Sequence, residues 1–150
     1  MLQYKRIIFV SESDTCRGPW AAAIMKNMHG MEDVDINSKG VVSLFEEPVN
    51  PKAVAVAKSN GIDISGYQSE QLSQGDFSME TLVLVMSDSM KKKIYEDFNS
   101  AVNVYTVKEF VGETGDVEVP YGGELSDYGM CFEELERLIG KIIEKLWILT

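Results

Sequence analysis

Residues 7–25, I-I-F-V-S-E-S-D-T-C-R-G-P-W-A-A-A-I-M, carry the strongest structural signal in this chain. The first four are apolar and mostly β-branched, which predicts a buried strand over residues 4–10. A short polar loop follows, and then a helix over residues 17–28 with Pro19 in its first turn, where the missing N–H costs no hydrogen bond. A strand, a tight polar turn and a helix N-terminus in succession direct several backbone N–H groups toward one point, which is typical of an anion-binding loop.

The loop ends at an arginine, whose planar and permanently charged guanidinium suits a phosphate or sulfate group. We therefore predict that the loop binds an oxyanion through Ser11, Glu12, Ser13, Asp14, Thr15, Cys16 and Arg17. The carboxylates of Glu12 and Asp14 oppose such binding, because a like charge ~5 Å away costs ~3 kcal/mol at an effective dielectric of ~20. That cost falls sharply if Glu12 points outward, and the sequence leaves its orientation open.

Strand and helix patterns alternate along the rest of the chain. Further strands are predicted over residues 34–39, 82–86 and 101–106, helices over 51–60, 89–98 and 125–146, a helical turn at 68–72 and a short helix at 73–79. This alternation predicts the α/β class: one domain over residues 1–150, with a four-stranded parallel sheet flanked by helices in three layers. Ligands of such folds bind at the carboxyl ends of the strands, where the polar loop lies.

The loop resembles C-x-G-N-x-C-R-S-P, the phosphate-binding motif that directly follows the first strand of the low-molecular-weight protein tyrosine phosphatases. Cys16, Arg17 and Pro19 match that motif. Similarity continues through residues 50–72, 82–90, 107–116 and 120–123. The resemblance spans nearly the whole chain, and it implies the flavodoxin-like three-layer fold of that family.

This chain departs from the family at the positions that carry the chemistry. The resemblance implies that the first motif position holds the nucleophile, a cysteine in the family and Ser11 here, and that Arg17 holds the phosphoryl oxygens. Ser13, Asp14 and Gly18 replace the family's glycine, asparagine and serine. A serine hydroxyl has a far higher pKa than a thiol and needs a neighbouring base.

The general-acid position also departs from the family. There the acid is an aspartate directly before a proline, and here that position is Val119, which cannot donate a proton. Asp116 and Glu118 are nearby, but either would need a rearranged loop to replace the acid. The only histidine, His29, is placed in the first helix and is a poor candidate base. The joint loss predicts a phosphatase-like protein that is catalytically inactive or severely impaired and keeps an oxyanion-binding loop for binding or regulation.

Three alternatives stay open. The first is an active phosphotyrosine or aryl phosphate hydrolase with Ser11 as nucleophile and Asp116 or Glu118 as acid. The second is an engineered cysteine-to-serine trap, which would not explain the other departures from the motif. The third is a thiol sensor based on Cys16, since helix N-termini and arginine lower thiol pKa values.

Two aromatic residues near the loop have both a structural and a functional interpretation. Trp20, at the start of the first helix, packs in the core or lines the mouth of the cleft. Tyr121 lies beside the substrate entrance by resemblance, or is a surface aromatic without a chemical role. No cofactor and no metal site are predicted.

The composition of the chain limits which partners are expected. The formal net charge of −10 disfavours nucleic acid and anionic membranes. Expected ligands are phosphate, sulfate or a phosphotyrosine peptide. Two cysteines, Cys16 and Cys131, do not make a disulfide framework, and no signal peptide or membrane-spanning run is found, so a cytoplasmic protein is expected.

Overall fold

The computed structural model describes residues 2–43, 45–118, 120 and 122–148. Its strands are β1 (Arg6–Ser11), β2 (Asp35–Gly40), β3 (Thr81–Val85) and β4 (Val104–Thr106). Its helices are α1 (Arg17–Lys26), α2 (Pro51–Ser59), α3 (Asp88–Asp97), α4 (Val107–Phe110) and α5 (Leu125–Ile148). A 3₁₀ turn covers Gln74–Asp76.

The four strands form one parallel sheet in the order β2-β1-β3-β4, which confirms the predicted sheet. Strands β1 and β3 lie in the middle. Every residue of β3 is buried, as is every residue of β1 after Arg6. Near-continuous burial is expected of parallel strands that are covered on both faces, and it explains why their sequences read as unbroken apolar runs.

Alternate residues of β1 enter two separate cores on opposite faces of the sheet. Ile7 and Phe9 pack in the larger core, with α1, α2 and α5. Ile8 and Val10 pack in the smaller core, with Ile94 of α3. The sheet is therefore the middle layer of three, as predicted.

Three of the predicted local elements differ in the structure. Helix α1 ends at Lys26 rather than at residue 28, so His29 lies outside it and is fully exposed. Residues 68–72 are extended rather than helical, because Gly40 N–H donates to Glu70 O (2.7 Å) and Leu72 N–H donates to Gly40 O (2.9 Å). Residues 73–79 contain only the 3₁₀ turn.

Helix α4 was not predicted. It begins with a capping box in which Thr106 Oγ1 accepts from Glu109 N–H (3.0 Å) and a Glu109 carboxylate oxygen accepts from Thr106 N–H (2.9 Å). Within the described part of the chain, no helix is both long enough and apolar enough to cross a bilayer.

Candidate functional site

The polar loop lies at the carboxyl end of β1, between Ser11 and the start of α1. Its backbone is held by β2 and the segment that follows, since Val41 N–H donates to Ser11 O (3.1 Å) and Val42 N–H donates to Glu12 O (2.8 Å). Gly40 allows this close approach, because a Cβ there would lie 3.0 Å from Glu12 O. The sheet therefore positions the loop from two strands at once.

Asp14 occupies the inner side of the loop. Its backbone is left-handed, with φ of 61°, a conformation that Asp and Asn adopt more readily than most residues. Its side chain is buried, and Oδ2 accepts hydrogen bonds from Tyr67 O–H (2.5 Å) and from Glu70 N–H (3.0 Å). Ser38 Oγ donates to Tyr67 Oη (2.7 Å), which extends the network to β2.

Burial raises the pKa of Asp14 to about 6, although the nearby donors, namely the Ser38 and Tyr67 hydroxyls and the Glu70 N–H, act in the opposite direction. The Glu70 carboxylate adds a smaller upward shift. Burial and the Asp14 hydrogen bond raise the pKa of Tyr67 as well, so its hydroxyl keeps its proton at neutral pH. Asp14 therefore changes charge closer to neutrality than an ordinary aspartate does.

Ser11 Oγ and Asp14 Oδ1 face the same small space. A Cβ on Gly18 would lie 3.0 Å from Ser11 Oγ and 3.1 Å from Asp14 Oδ1. Both oxygens are buried, and no described residue offers either one a hydrogen-bond partner. Ser11 itself is 3% exposed. The contact between Asp14 and Ser11 that would make the carboxylate a base for the hydroxyl is thus not formed.

Arg17 points from the loop toward the segment that precedes α5. Its Nη1 donates to the carbonyl of Val117 at 2.8 Å, and the side chain is 3% exposed. Val117 lies 100 residues away in sequence. The guanidinium thereby joins the loop to the segment in which the sequence analysis placed the general acid.

The other loop residues have separate orientations. Glu12 is exposed and directed away from the interior, so its charge does not add to that of Asp14 inside the loop. Ser13 Oγ and Thr15 Oγ1 lie 2.7 Å apart, and Ser43 Oγ donates to Ser13 O at 2.5 Å. The seven predicted residues therefore form one loop, but its interior contains one carboxylate rather than two.

The two substitute acids flank Val117, and their contacts are with other segments. Asp116 Oδ1 accepts from Asp88 N–H at 3.0 Å, at the first residue of α3. Glu118 has an exposed side chain, and its carbonyl accepts a weak hydrogen bond from Cys131 Sγ at 3.6 Å. Val119 and Tyr121, the predicted acid position and cleft aromatic, lie outside the described residues.

The model of the low molecular weight phosphotyrosine protein phosphatase family matches residues 6–147. This chain belongs to that family. A protein-arginine-phosphatase from Geobacillus stearothermophilus is 36% identical over 143 residues, which cover 94% of this chain and 95% of the relative.

Solved structures agree with this family assignment. The low molecular weight protein tyrosine phosphatase from T. tengcongensis has a TM-score of 0.87 and 38% identity, and the match covers 94% of this chain and 99% of that one. A cysteine-to-serine mutant of the YwlE arginine phosphatase, with a phosphorylated active-site serine, has a TM-score of 0.85 and 32% identity, over 94% of this chain and 95% of that one.

Trp20 does not line the phosphatase cleft, and that part of the sequence prediction is wrong. The side chain is fully buried, and its Nε1 donates to Ala53 O in α2 at 2.9 Å. Its ring packs edge-on against Tyr128 and Phe132 of α5. A large apolar ring at the first turn of α1 lies against the other helices rather than at the strand ends, because α1 crosses the sheet face.

The thiol hypothesis also loses its basis. Burial raises the pKa of Cys16 to about 12, and the nearby Arg17 charge only partly offsets it. Burial likewise raises the pKa of Cys131 to about 11. Reactive cysteines have lowered pKa values, so neither thiol has the character of a redox sensor.

Sequence reasoning missed the residues that surround Asp14, namely Ser38, Tyr67 and Glu70. They come from β2 and from the extended segment after α2, at least 24 positions from Asp14. The only local signal was the aspartate where the phosphatase motif has asparagine. An aspartate enclosed by a fold requires donors, but the sequence does not say which segment supplies them.

Proposed function

We propose that this chain binds phosphate, sulfate or a phosphorylated protein side chain in the loop of residues 11–17, and that its phosphatase turnover is absent or severely impaired. We infer the ligand class from the family, and we infer the loss of turnover from the departures at Ser11 and Val119. Binding or regulation in the cytoplasm is then the role of the loop.

The observation that carries this proposal is the isolation of Ser11 Oγ. A serine nucleophile needs a base within hydrogen-bond reach, and no described residue is bonded to this hydroxyl. The nearest candidate by topology, Asp14, directs Oδ2 at Tyr67 and Glu70 instead. The hydroxyl is therefore poorly prepared to attack phosphorus.

The relatives suggest two forms of the phosphorylated ligand. One solved relative is described as a tyrosine phosphatase and another as an arginine phosphatase. The bound group is a tetrahedral oxyanion in either case, and Arg17 suits both because its fork pairs with two oxygens at once. Phosphotyrosine and phosphoarginine peptides should therefore both be tested.

The test compares turnover of p-nitrophenyl phosphate and of both phosphopeptides by the parent, by Arg17→Ala, and by Ser11→Cys combined with Val119→Asp. We expect the parent and Arg17→Ala to have the same low turnover. The double variant should gain turnover, and adding Arg17→Ala to the double variant should abolish that gain. Parent turnover that disappears in Arg17→Ala would refute the proposal.

A second candidate function is supported by one observation. The solved YwlE mutant has a phosphorylated active-site serine, so a serine in a loop of this family can accept a phosphoryl group. If Ser11 acts in this way, with Asp116 or Glu118 as the acid, phosphoserine at Ser11 should form after mixing with substrate. Mass spectrometry of the intact protein and of its peptides, together with a phosphate assay, distinguishes the cases. A stable phosphoserine that forms with one equivalent of the leaving phenol or alcohol but releases no inorganic phosphate marks a trap, whether natural or engineered. Hydrolysis of that phosphoserine to inorganic phosphate marks an enzyme.

A further inference from the structure

The strongest unexplained feature of the loop is the asymmetric bonding of the Asp14 carboxyl. Oδ2 accepts two hydrogen bonds, from Tyr67 O–H and from Glu70 N–H. Oδ1 is buried and has no partner among the described residues. A carboxylate shares its charge over both oxygens and gains from donors on each. A neutral carboxylic acid has one carbonyl oxygen that accepts and one hydroxyl that carries a proton.

The bonding of Asp14 matches the neutral acid. Oδ2 would be the carbonyl oxygen with its two donors, and Oδ1 would be the hydroxyl, beside the space above Gly18 that Ser11 Oγ also faces. Any oxyanion bound in the loop beside Ser11 then lies close to Asp14. A carboxylate there would repel the oxyanion, whereas a carboxylic acid would not.

We propose that the loop binds its oxyanion together with one proton, which Asp14 carries on Oδ1. This inference rests on the proposed function, because it concerns the same loop, and it adds that the ligand is a dianion plus a proton. The family's asparagine would need no such proton, since an amide is neutral at every relevant pH.

The charged groups around Asp14 support this assignment. The Glu70 carboxylate raises the pKa of Asp14, but Glu70 is paired with Lys39 of β2, which limits its effect. The hydroxyl groups of Tyr67 and Ser38 are neutral donors. Within the loop, the Arg17 guanidinium donates to Val117 O, while Glu12 is exposed. Burial raises the pKa of Asp14 to about 6 even before an anion is bound.

Sulfate is the probe, because it stays a dianion throughout the pH range of the test. Calorimetric titrations of the folded protein with sulfate, at constant ionic strength from about pH 5 to about pH 8, give the affinity. Paired buffers of different ionisation enthalpy count the protons taken up at each pH. The parent is compared with Asp14→Asn, which keeps the shape, the left-handed preference and an acceptor for Tyr67.

We expect the parent to take up close to one proton per sulfate near pH 8 and to lose affinity roughly tenfold for each pH unit above about 6. Asp14→Asn should take up none and keep its affinity within about twofold, so that it binds roughly a hundredfold more tightly than the parent near pH 8. Sulfate binding by both proteins, with parallel pH profiles and no proton uptake, would overturn the inference and leave the proposed function intact.

A failure of the proposed function gives a different result. Absence of sulfate binding by the parent and by Asp14→Asn at every pH would overturn the function and this inference together. The carbon-13 carboxyl resonance of Asp14 in the parent gives a direct readout that does not depend on the variant. That resonance should report a carboxylic acid in the sulfate complex at about pH 7, and a carboxylate there would contradict the inference.

Discussion

Asp14 places a buried, ionisable carboxyl inside a loop that otherwise has the features of an anion-binding site. A buried carboxyl in a left-handed turn stands where the resemblance implies a neutral amide, and two segments of the chain supply hydrogen-bond donors or charge around it. Its two oxygens are unequal, with both strong hydrogen bonds on one side. The protonation state of this side chain therefore decides whether the interior of the loop contains a negative charge.

The stability of the folded protein should depend on this residue. Its pKa is about 6 in the folded state and ~3.9 in an unfolded chain, so the folded state binds more protons between those values. The contribution of Asp14 to the free energy of unfolding therefore falls as the pH rises from about 4 to about 6, by up to ~3 kcal/mol, and does not recover above that range.

Guanidinium denaturation of the parent and of Asp14→Asn at several pH values measures this contribution. The variant should be the more stable of the two at about pH 7, with the advantage shrinking toward about pH 4. The other carboxylates titrate equally in both proteins and cancel in the difference. Parallel stability curves would show that Asp14 titrates normally.

At the scale of elements, the segment between α4 and α5 connects to two others. Val117 O accepts from Arg17, which joins the segment to the loop after β1. Asp116 accepts from Asp88 N–H, which joins it to the N-terminus of α3. Ser87 caps the same helix, with its Oγ accepting from Met90 N–H at 3.3 Å. The segment is thus positioned by side-chain contacts to a loop and to a helix end.

These contacts predict that Asp116 stabilises α3 and has no role as an acid. Asp116→Ala removes an acceptor from an exposed helix N–H and should lower the free energy of unfolding by ~1 kcal/mol. Asp116→Asn keeps an acceptor oxygen and should lower it by less than ~0.5 kcal/mol. Denaturation measures both, and the aryl phosphate turnover of Ser11→Cys should stay the same when Asp116→Asn is added to it. A drop in turnover specific to Asp116→Asn would contradict this role.

At the scale of the whole molecule, Trp20 connects the three helices that pack on one face of the sheet. It belongs to α1, donates to α2 and packs on two aromatic rings of α5. The other tryptophan, Trp147, is partly exposed near the end of α5. The two therefore report on the core and on the end of the last helix.

We expect this arrangement to unfold as one cooperative unit. In Trp147→Phe, the fluorescence of Trp20 and the far-ultraviolet circular dichroism should change at the same guanidinium concentration, since the large core joins three helices to the sheet. In Trp20→Phe, the matched variant, Trp147 reports on the end of α5 and on the nearby turn at Gly30. A Trp20 transition that precedes the loss of helical signal would show that the helices separate from the sheet before they unfold.

Local patterns in the sequence were sufficient for the fold. The apolar runs of β1 and β3 follow from burial on both faces, and the spacing of apolar residues in α5 follows from helical geometry, so neither depends on distant contacts. Residues 68–72 were wrongly predicted as a helical turn because their backbone pairs with Gly40, and such non-local pairing overrides weak local preference.

The amino-acid sequence alone determined the parallel α/β fold, the position of the loop after β1 and the serine at residue 11, where the resemblance implies the family's nucleophile. Each is written in consecutive residues or in a motif. The tertiary structure alone decided that Glu12 faces outward, that Arg17 contacts Val117, and that Tyr67 and Glu70 bind one oxygen of Asp14. Burial and hydrogen bonding depend on segments that meet only after folding, and these two quantities set the charge of a buried carboxyl.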